Sequence, residues 1–278
     1  LKLTDGRVHA TDATNASRTS LFNIKTGKWD PRLLEIFNVP CQVLPVVKDS
    51  SHLFGVTAKS VLGKEIPITA ILGDQQSAAV GQACFEPGSL KATFGTGGFL
   101  LINTGTKALK SKSRLLTTIL FQINKKIFYA MEGSIFITGA AIQWLRDEMK
   151  TLNSAQESES LARQLESNEG VYLVPSFTGF GAPHWQPEAR GAIFGITRNT
   201  GPRHLARAAL ESVAYQTNDI IQIMSAEGTL PTVLRADGGM VDNSWFMGFL
   251  ADIANITVDV PKVKETKNLG VALMAAYA

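Results

Sequence analysis

Two periods compete along this chain: short apolar runs bounded by glycine or charge, which predict strands, and apolar residues recurring every three to four positions, which predict helices. Ile66 to Leu72 is such a run, read as a buried strand that turns at Gly73 into a helix from Gln75 to Ala83, with Asp74 at its N-cap. Leu90 to Phe94 and Phe99 to Asn103 flank Gly95-Thr96-Gly97-Gly98, and Leu116 to Gln122 and Ile127 to Met131 flank Asn124-Lys125, so two hairpins are expected. Asp30-Pro31, cap and first-turn proline, opens a short helix. Gly133 leads into another from about Thr138 to Met149. A long helix is predicted from Pro202 to about Ala226, with Leu205, Ala209, Val213, Ile220 and Met224 close to one face. Val233 to Ala236 is a predicted strand ending in Asp237-Gly238-Gly239, followed by a helix from about Asn243 and a strand from Ile256 to Val260. Strands and hairpins alternating with helices predict an α/β protein with mixed sheets.

The ends carry their own signal. Leu1 reads as lying within a strand, and Asn268 to Ala278 as a small-residue helix with no C-terminal glycine, basic last turn or proline to stop it, so the chain is expected to be a fragment. The composition, 278 residues with 45% apolar, 18% charged and a net charge of +3, is that of an ordinary soluble protein of one large or two medium domains. Basic residues are dispersed, and the denser groups, Lys107 to Arg114 and Lys262 to Lys267, read as solvated loops; neither nucleic acid nor a membrane is expected as a partner. Cys41 and Cys84 stand far apart, as do His9, His52, His184 and His204. That spacing predicts two reduced thiols in the cytosol and no metal cage among these side chains.

Two neighbouring motifs carry chemistry. Gly73-Asp74-Gln75-Gln76 puts a carboxylate at a strand-to-helix turn, and Gly95-Thr96-Gly97-Gly98 puts a hydroxyl in a bare turn between strands. The second is a hairpin rather than a strand-loop-helix unit, so it is not a Walker loop. A base and a phosphate cradle together point to phosphoryl transfer, which requires positioning and charge stabilisation more than covalent chemistry. Gly139 with Gln143, and Gly239 with Asn243, repeat one spacing that would place a glycine and an amide on one helical face, suited to a ring or ribose. For Gly139 and Gln143 taken alone, close helix packing is the better reading. For Asp74 the plainer role is helix capping, and for Phe99 core packing.

The ordered motifs Thr14-Asn15-Ala16-Ser17-Arg18-Thr19, Gly73-Asp74-Gln75-Gln76, Gly95-Thr96-Gly97, Ile142-Gln143-Trp144-Leu145-Arg146-Asp147, Gly179-Phe180-Gly181-Ala182-Pro183 and Asp237-Gly238-Gly239 together resemble the FGGY carbohydrate kinases of the actin-like ATPase superfamily, among them the members that phosphorylate glycerol. Gly191 to Glu211 resembles the family's second signature. The resemblance implies ribonuclease-H-like domains of mixed sheets flanked by helices, ATP and glycerol as small-molecule partners in the cleft between them, and magnesium. It implies Asp74 as general base, Gln75 and Phe99 as glycerol contacts, Thr96 as a phosphate contact, and Gly139, Gln143, Gly239 and Asn243 as nucleotide site. Residues 1–79 then correspond to the end of a substrate-side domain and 80–278 to most of a nucleotide-side domain. The family's amino-terminal phosphate hairpin, with its magnesium-associated carboxylate, and its Arg-Glu and Trp glycerol contacts have no counterpart here, so the isolated chain is expected to be inactive. Ser60 to Glu65, where some bacterial members carry a Gly-Arg regulatory loop, has no arginine, and that regulation is not expected. Another polyol or pentulose kinase, or a non-catalytic actin-like module, are the alternative readings, and self-association is left open.

Overall fold

The computed structural model describes residues 1–278. The first third is built from small pieces: β1 (Ala10–Asp12), α1 (Ala13–Ala16), β2 (Phe22–Asn23), β3 (Lys28–Trp29), α2 (Pro31–Ile36), β4 (Val46–Lys48), β5 (Ser51–Val56), α3 (Lys59–Leu62), β6 (Pro67–Ala70) and α4 (Asp74–Gly81). Here β1 pairs with β4 in parallel, and β5 with β6 antiparallel. Asp30 caps α2 as its sequence predicts, accepting from the amides of Arg32 and Leu33.

The larger part is organised on a six-stranded mixed sheet. Its elements are β7 (Leu90–Phe94), β8 (Gly98–Gly105), β9 (Leu116–Ile123), β10 (Lys126–Ile135), α5 (Gly139–Asp147), α6 (Glu157–Ala162), β11 (Tyr172–Val174), β12 (Ala192–Phe194), α7 (Pro202–Ala226), β13 (Val233–Asp237), α8 (Ser244–Ala254), β14 (Thr257–Asp259) and α9 (Thr266–Ala276). The strand order is β14-β13-β7-β8-β10-β9. Both predicted hairpins form, and Asn124 and Lys125 take the positive φ values, 51° and 62°, that a tight hairpin turn demands.

Side-chain alternation gives the sheet two unlike faces. Leu90, Ala92, Phe94, Leu100, Ile102, Met131, Ile135, Leu234 and Ala236 point to one side, where they form the main core with residues of α5, α7 and α8. Their neighbours point the other way: Lys91, Thr93, Leu101, Glu132, Arg235 and Asp237. Over that second face α4 and α9 pack on each other. At their crossing a Cβ added to Gly270 would come 1.8 Å from the Ser77 carbonyl oxygen, and one added to Gly81 2.1 Å from that of Thr266. Only glycine lets the two helices approach so closely.

Four expectations need correction. Gly133 lies within β10, not before α5; it is glycine because a Cβ there would meet Ile220 Cγ2 of α7 at 2.6 Å. The Ile66 to Leu72 strand shrinks to β6 and is only partly buried, since its single partner is β5. Leu1 is not in a strand: the amides of Thr4 and Gly6 both close on its carbonyl, forming a 3₁₀ turn over Lys2–Thr4. Asp74 is not the N-cap of α4; that position is Gly73. Cys41 and Cys84 are free thiols, and no helix is long and apolar enough to cross a membrane.

Candidate active site

The turn that carries Asp74 is anchored from below. Asp12, fully buried, caps α1 through the amides of Thr14 (2.9 Å) and Asn15 (3.0 Å) and accepts from Ser50 Oγ at 2.9 Å. Thr14 Oγ1, thereby fixed, accepts from the Gly73 amide at 2.8 Å. With Gly73 so held, Asp74 begins the helix and its carboxylate turns sideways rather than capping. Its Oδ1 accepts from the Gln75 amide at 2.8 Å, and its Oδ2 from Gln75 Nε2 and Lys267 Nζ, both at 3.1 Å. Partial burial pushes the Asp74 carboxyl up, but Lys267 and the Gln75 donors outweigh it and hold it below the usual carboxylate value. The carboxylate is therefore ionised at neutral pH and remains 65% exposed, open to a ligand.

Gln75 reaches in the other direction as well. Its Oε1 accepts from Lys91 Nζ, which also donates to Thr93 Oγ1 at 2.9 Å. Lys91 is wholly inaccessible to solvent. Burial brings its ammonium down to about 8, against the opposing pull of Asp237, Glu132, Asp74 and Cys84. Phe99, in register with Thr93 on β7 and Ser134 on β10, projects from this same face of the sheet and is partly exposed.

On the other side of the β7–β8 turn a cavity of about 360 Å³ opens. Thr96, Gly139, Gln143, Gly239 and Asn243 all line it, so five residues scattered over the sequence converge on one site. The two glycines differ in kind. A Cβ on Gly139 would come 2.6 Å from the Gly95 carbonyl oxygen, so this glycine brings α5 against the hairpin turn. A Cβ on Gly239 would meet nothing within 4 Å, and that glycine fronts open space. The matching helical spacing is half right. Gly139 and Gln143 share α5, whereas Gly239 begins a 3₁₀ turn and Asn243 caps α8, its Oδ1 accepting from the Phe246 amide at 2.9 Å.

Models of the FGGY family of carbohydrate kinases match nearly the whole chain, the C-terminal domain over residues 90–278 and the N-terminal domain over residues 1–81. The chain belongs to this family. It is 55% identical over 274 residues to Glycerol kinase 1 of Pseudomonas aeruginosa, covering 99% of this chain and 56% of that protein. It superposes on the crystal structure of Plasmodium falciparum glycerol kinase with ADP with a TM-score of 0.93 at 43% identity, covering 99% of this chain and 56% of that one. The ligand-bound xylulose kinase of Lactobacillus acidophilus is similar in fold, with a TM-score of 0.86 at 21% identity and coverage of 98% and 56%. The chain thus spans about half the length of the relatives it matches, and its α/β architecture is the actin-like fold of FGGY kinases.

Two further residues, assigned no site role from the sequence, stand at or beside the site. Arg146 lines the cavity, and its position seven residues after Gly139 on α5 was a usable helical signal. Lys91 was a charge inside the apolar run Leu90 to Phe94, which is itself a signal for a partnered buried ion. The residues present form no cage for a magnesium ion by themselves. No three His, Cys, Asp or Glu side chains converge; Asp74 is engaged by Lys267 and Gln75, and Asp237 by Gln82 and Thr266.

Proposed function

We propose that the whole protein containing this chain transfers a phosphoryl group from ATP to the 3-hydroxyl of glycerol. The observation that carries this reading is the Asp74–Gln75 pair on one side of the Gly95-Thr96-Gly97 turn, with a cavity lined by Thr96, Gln143, Asn243 and the open Gly239 on the other. Similarity to glycerol kinases at 43–55% identity, against 21% for a xylulose kinase, favours glycerol over a pentulose.

In this reading Asp74 is the general base. Being ionised, it accepts the proton of the attacking hydroxyl, and Oδ1, which is not bound to Lys267, is the oxygen available to it. Gln75 positions a polyol hydroxyl, and Phe99 packs against the carbon edge of glycerol. Thr96 contacts the transferring phosphate, aided by the bare amides around it. Gly239 lets the nucleotide lie against the backbone, with Gly139, Gln143 and Asn243 completing the wall. No step is assigned to metal-binding residues of this chain. The division of the chain into a substrate-side part, residues 1–79, and a nucleotide-side part, residues 80–278, belongs to the same proposal.

A coupled assay of ADP release with the whole protein tests the reading. Glycerol-stimulated turnover is expected, with xylulose a poor acceptor; no stimulation by glycerol, or preference for xylulose, refutes it. The isolated 278-residue chain is expected to bind ADP weakly and to turn over no glycerol.

A further inference from the structure

A lysine with no access to solvent is costly unless its charge is matched. Lys91 stands in the middle of the sheet, where pairing fixes its neighbours: Arg235 on β13 and Leu101 on β8, with Glu132 beyond Leu101 on β10. Yet its ammonium donates not to the acids of that face but to two neutral oxygens, Thr93 Oγ1 and Gln75 Oε1. The acids have other partners. Glu132 binds Arg18 through two contacts of 2.9 Å, and Asp237 Oδ2 is held by Gln82 and Thr266. Lys91 is therefore not a buried ion pair; it is aimed at an amide.

We infer that Lys91 is a positioning residue for the acceptor site, acting through Gln75 to orient the Asp74 carboxylate. A glutamine amide has one accepting and one donating end, and a flip exchanges them. With an ammonium at one end and a carboxylate at the other, only one orientation is favourable: Oε1 to Lys91 and Nε2 to Asp74 Oδ2. Polarisation of the carbonyl by the ammonium strengthens the donation to Asp74. Because the Lys91 backbone is fixed between β13 and β8, an anchor in the sheet governs the geometry of an exposed carboxylate on α4. Removing the ammonium frees Gln75 to turn its oxygen toward Asp74, where two acceptors repel. This inference rests on the proposed role of Asp74 and Gln75.

Steady-state kinetics of the whole protein test it, with Lys91→Met, Gln75→Ala and the double variant. If the parent protein shows no glycerol-dependent ADP release, the functional reading fails, whatever Lys91 does. Given that activity, Lys91→Met should lower kcat/KM for glycerol by about 10- to 100-fold, the worth of a hydrogen bond to a charged group. The KM for ATP should stay within about twofold. The double variant should be no worse than Gln75→Ala alone, because Lys91 acts through that side chain. Unchanged glycerol kinetics, or losses that multiply in the double variant, would overturn the inference. Lys91→Gln, a neutral donor of shorter reach, provides a second test if the methionine variant fails to fold, and parent-like glycerol kinetics there would likewise refute it. Should neither Lys91 variant fold, Gln75→Ala is examined alone. Loss of its acceptor should make Lys91 lose its proton at lower pH in ¹³C-lysine NMR, and an unchanged titration overturns the proposal.

Discussion

Lys91 offers a prediction whose size follows from its burial. Its folded value of about 8 lies below the ordinary 10.5 of lysine, a difference that corresponds to about 3 kcal/mol of bias against the charged form. The unfolded chain then binds the extra proton between about pH 8 and 10.5, so stability must rise as pH climbs through that window. Integrating between about pH 7.5 and 10 gives a gain of about 2 kcal/mol from this one group. Lys91→Met has no ammonium to titrate, so the parent's gain over that interval should exceed the variant's by that amount. Tyrosines and other lysines titrate in both proteins and cancel in the comparison. Guanidinium melts of parent and variant at the two pH values give the difference, and ¹³C-lysine NMR gives the titration directly. Equal pH slopes, or a Lys91 titration near 10.5, would refute the reasoning, because the ammonium would then be solvated or fully compensated.

Other substitutions probe the two sides of the hairpin turn. Asp74→Asn preserves shape but cannot take a proton, so turnover of the whole protein should fall by about 10²- to 10⁴-fold with ATP binding unchanged; near-normal phosphorylation of glycerol would exclude Asp74 as base. Gly239→Val should fold normally, since its Cβ meets nothing within 4 Å, while filling the cavity and weakening ATP binding more than glycerol binding; calorimetry showing parent-like ATP affinity would contradict this. Gly270→Ala forces a methyl to within 1.8 Å of the Ser77 carbonyl oxygen. It should cost about 3 kcal/mol, the upper end for overpacking, or roughly 6–12 °C in Tm; an unchanged melting curve would mean that α9 does not cross α4 as described.

Much of the larger sheet was legible in the sequence because its signals are local. The Leu90 to Phe94 and Phe99 to Asn103 runs around four turn residues, Asn124-Lys125 between two apolar runs, and the one-faced periodicity of Pro202 to Ala226 each require only neighbouring positions. What stayed hidden depends on partners distant in sequence. Gly133 reads as a breaker until Ile220 of α7 is seen against it. Asp74 reads as a cap until Thr14, 59 positions away, takes the Gly73 amide. The five cavity residues were visible in the sequence as a bare turn and two glycine–amide pairs, but their assignment to one nucleotide site came from the resemblance to a family, since no periodicity links Thr96 to Asn243. Lys91 was visible as an anomaly, but its meaning required the amide of Gln75 on another element.

The alternation that builds the sheet also explains why the chemistry is proposed at the end of the β7–β8 hairpin and nowhere along it. Within a strand each side chain belongs to one face: Leu100 joins the apolar core beneath α7 while Leu101 packs with residues of α4 and α9 and Phe99 projects to that same side. The two substrates of the proposed reaction could not meet across such a layer, because the sheet and the core packed on one of its faces stand between them. At Gly95-Thr96-Gly97 the strands end, and the turn lines the cavity on one side while its following residue pair leads to Phe99 on the other. Only backbone amides and one hydroxyl are present there, groups that can bind an anion arriving from either direction. The apolar face is then free to be a core, and the opposite face can carry Arg235, Lys91 and Glu132 in one row beneath Gln75. A charged row of that kind in the interior of a domain would only cost stability; beneath the exposed Asp74 carboxylate it fits the positioning role proposed for Lys91.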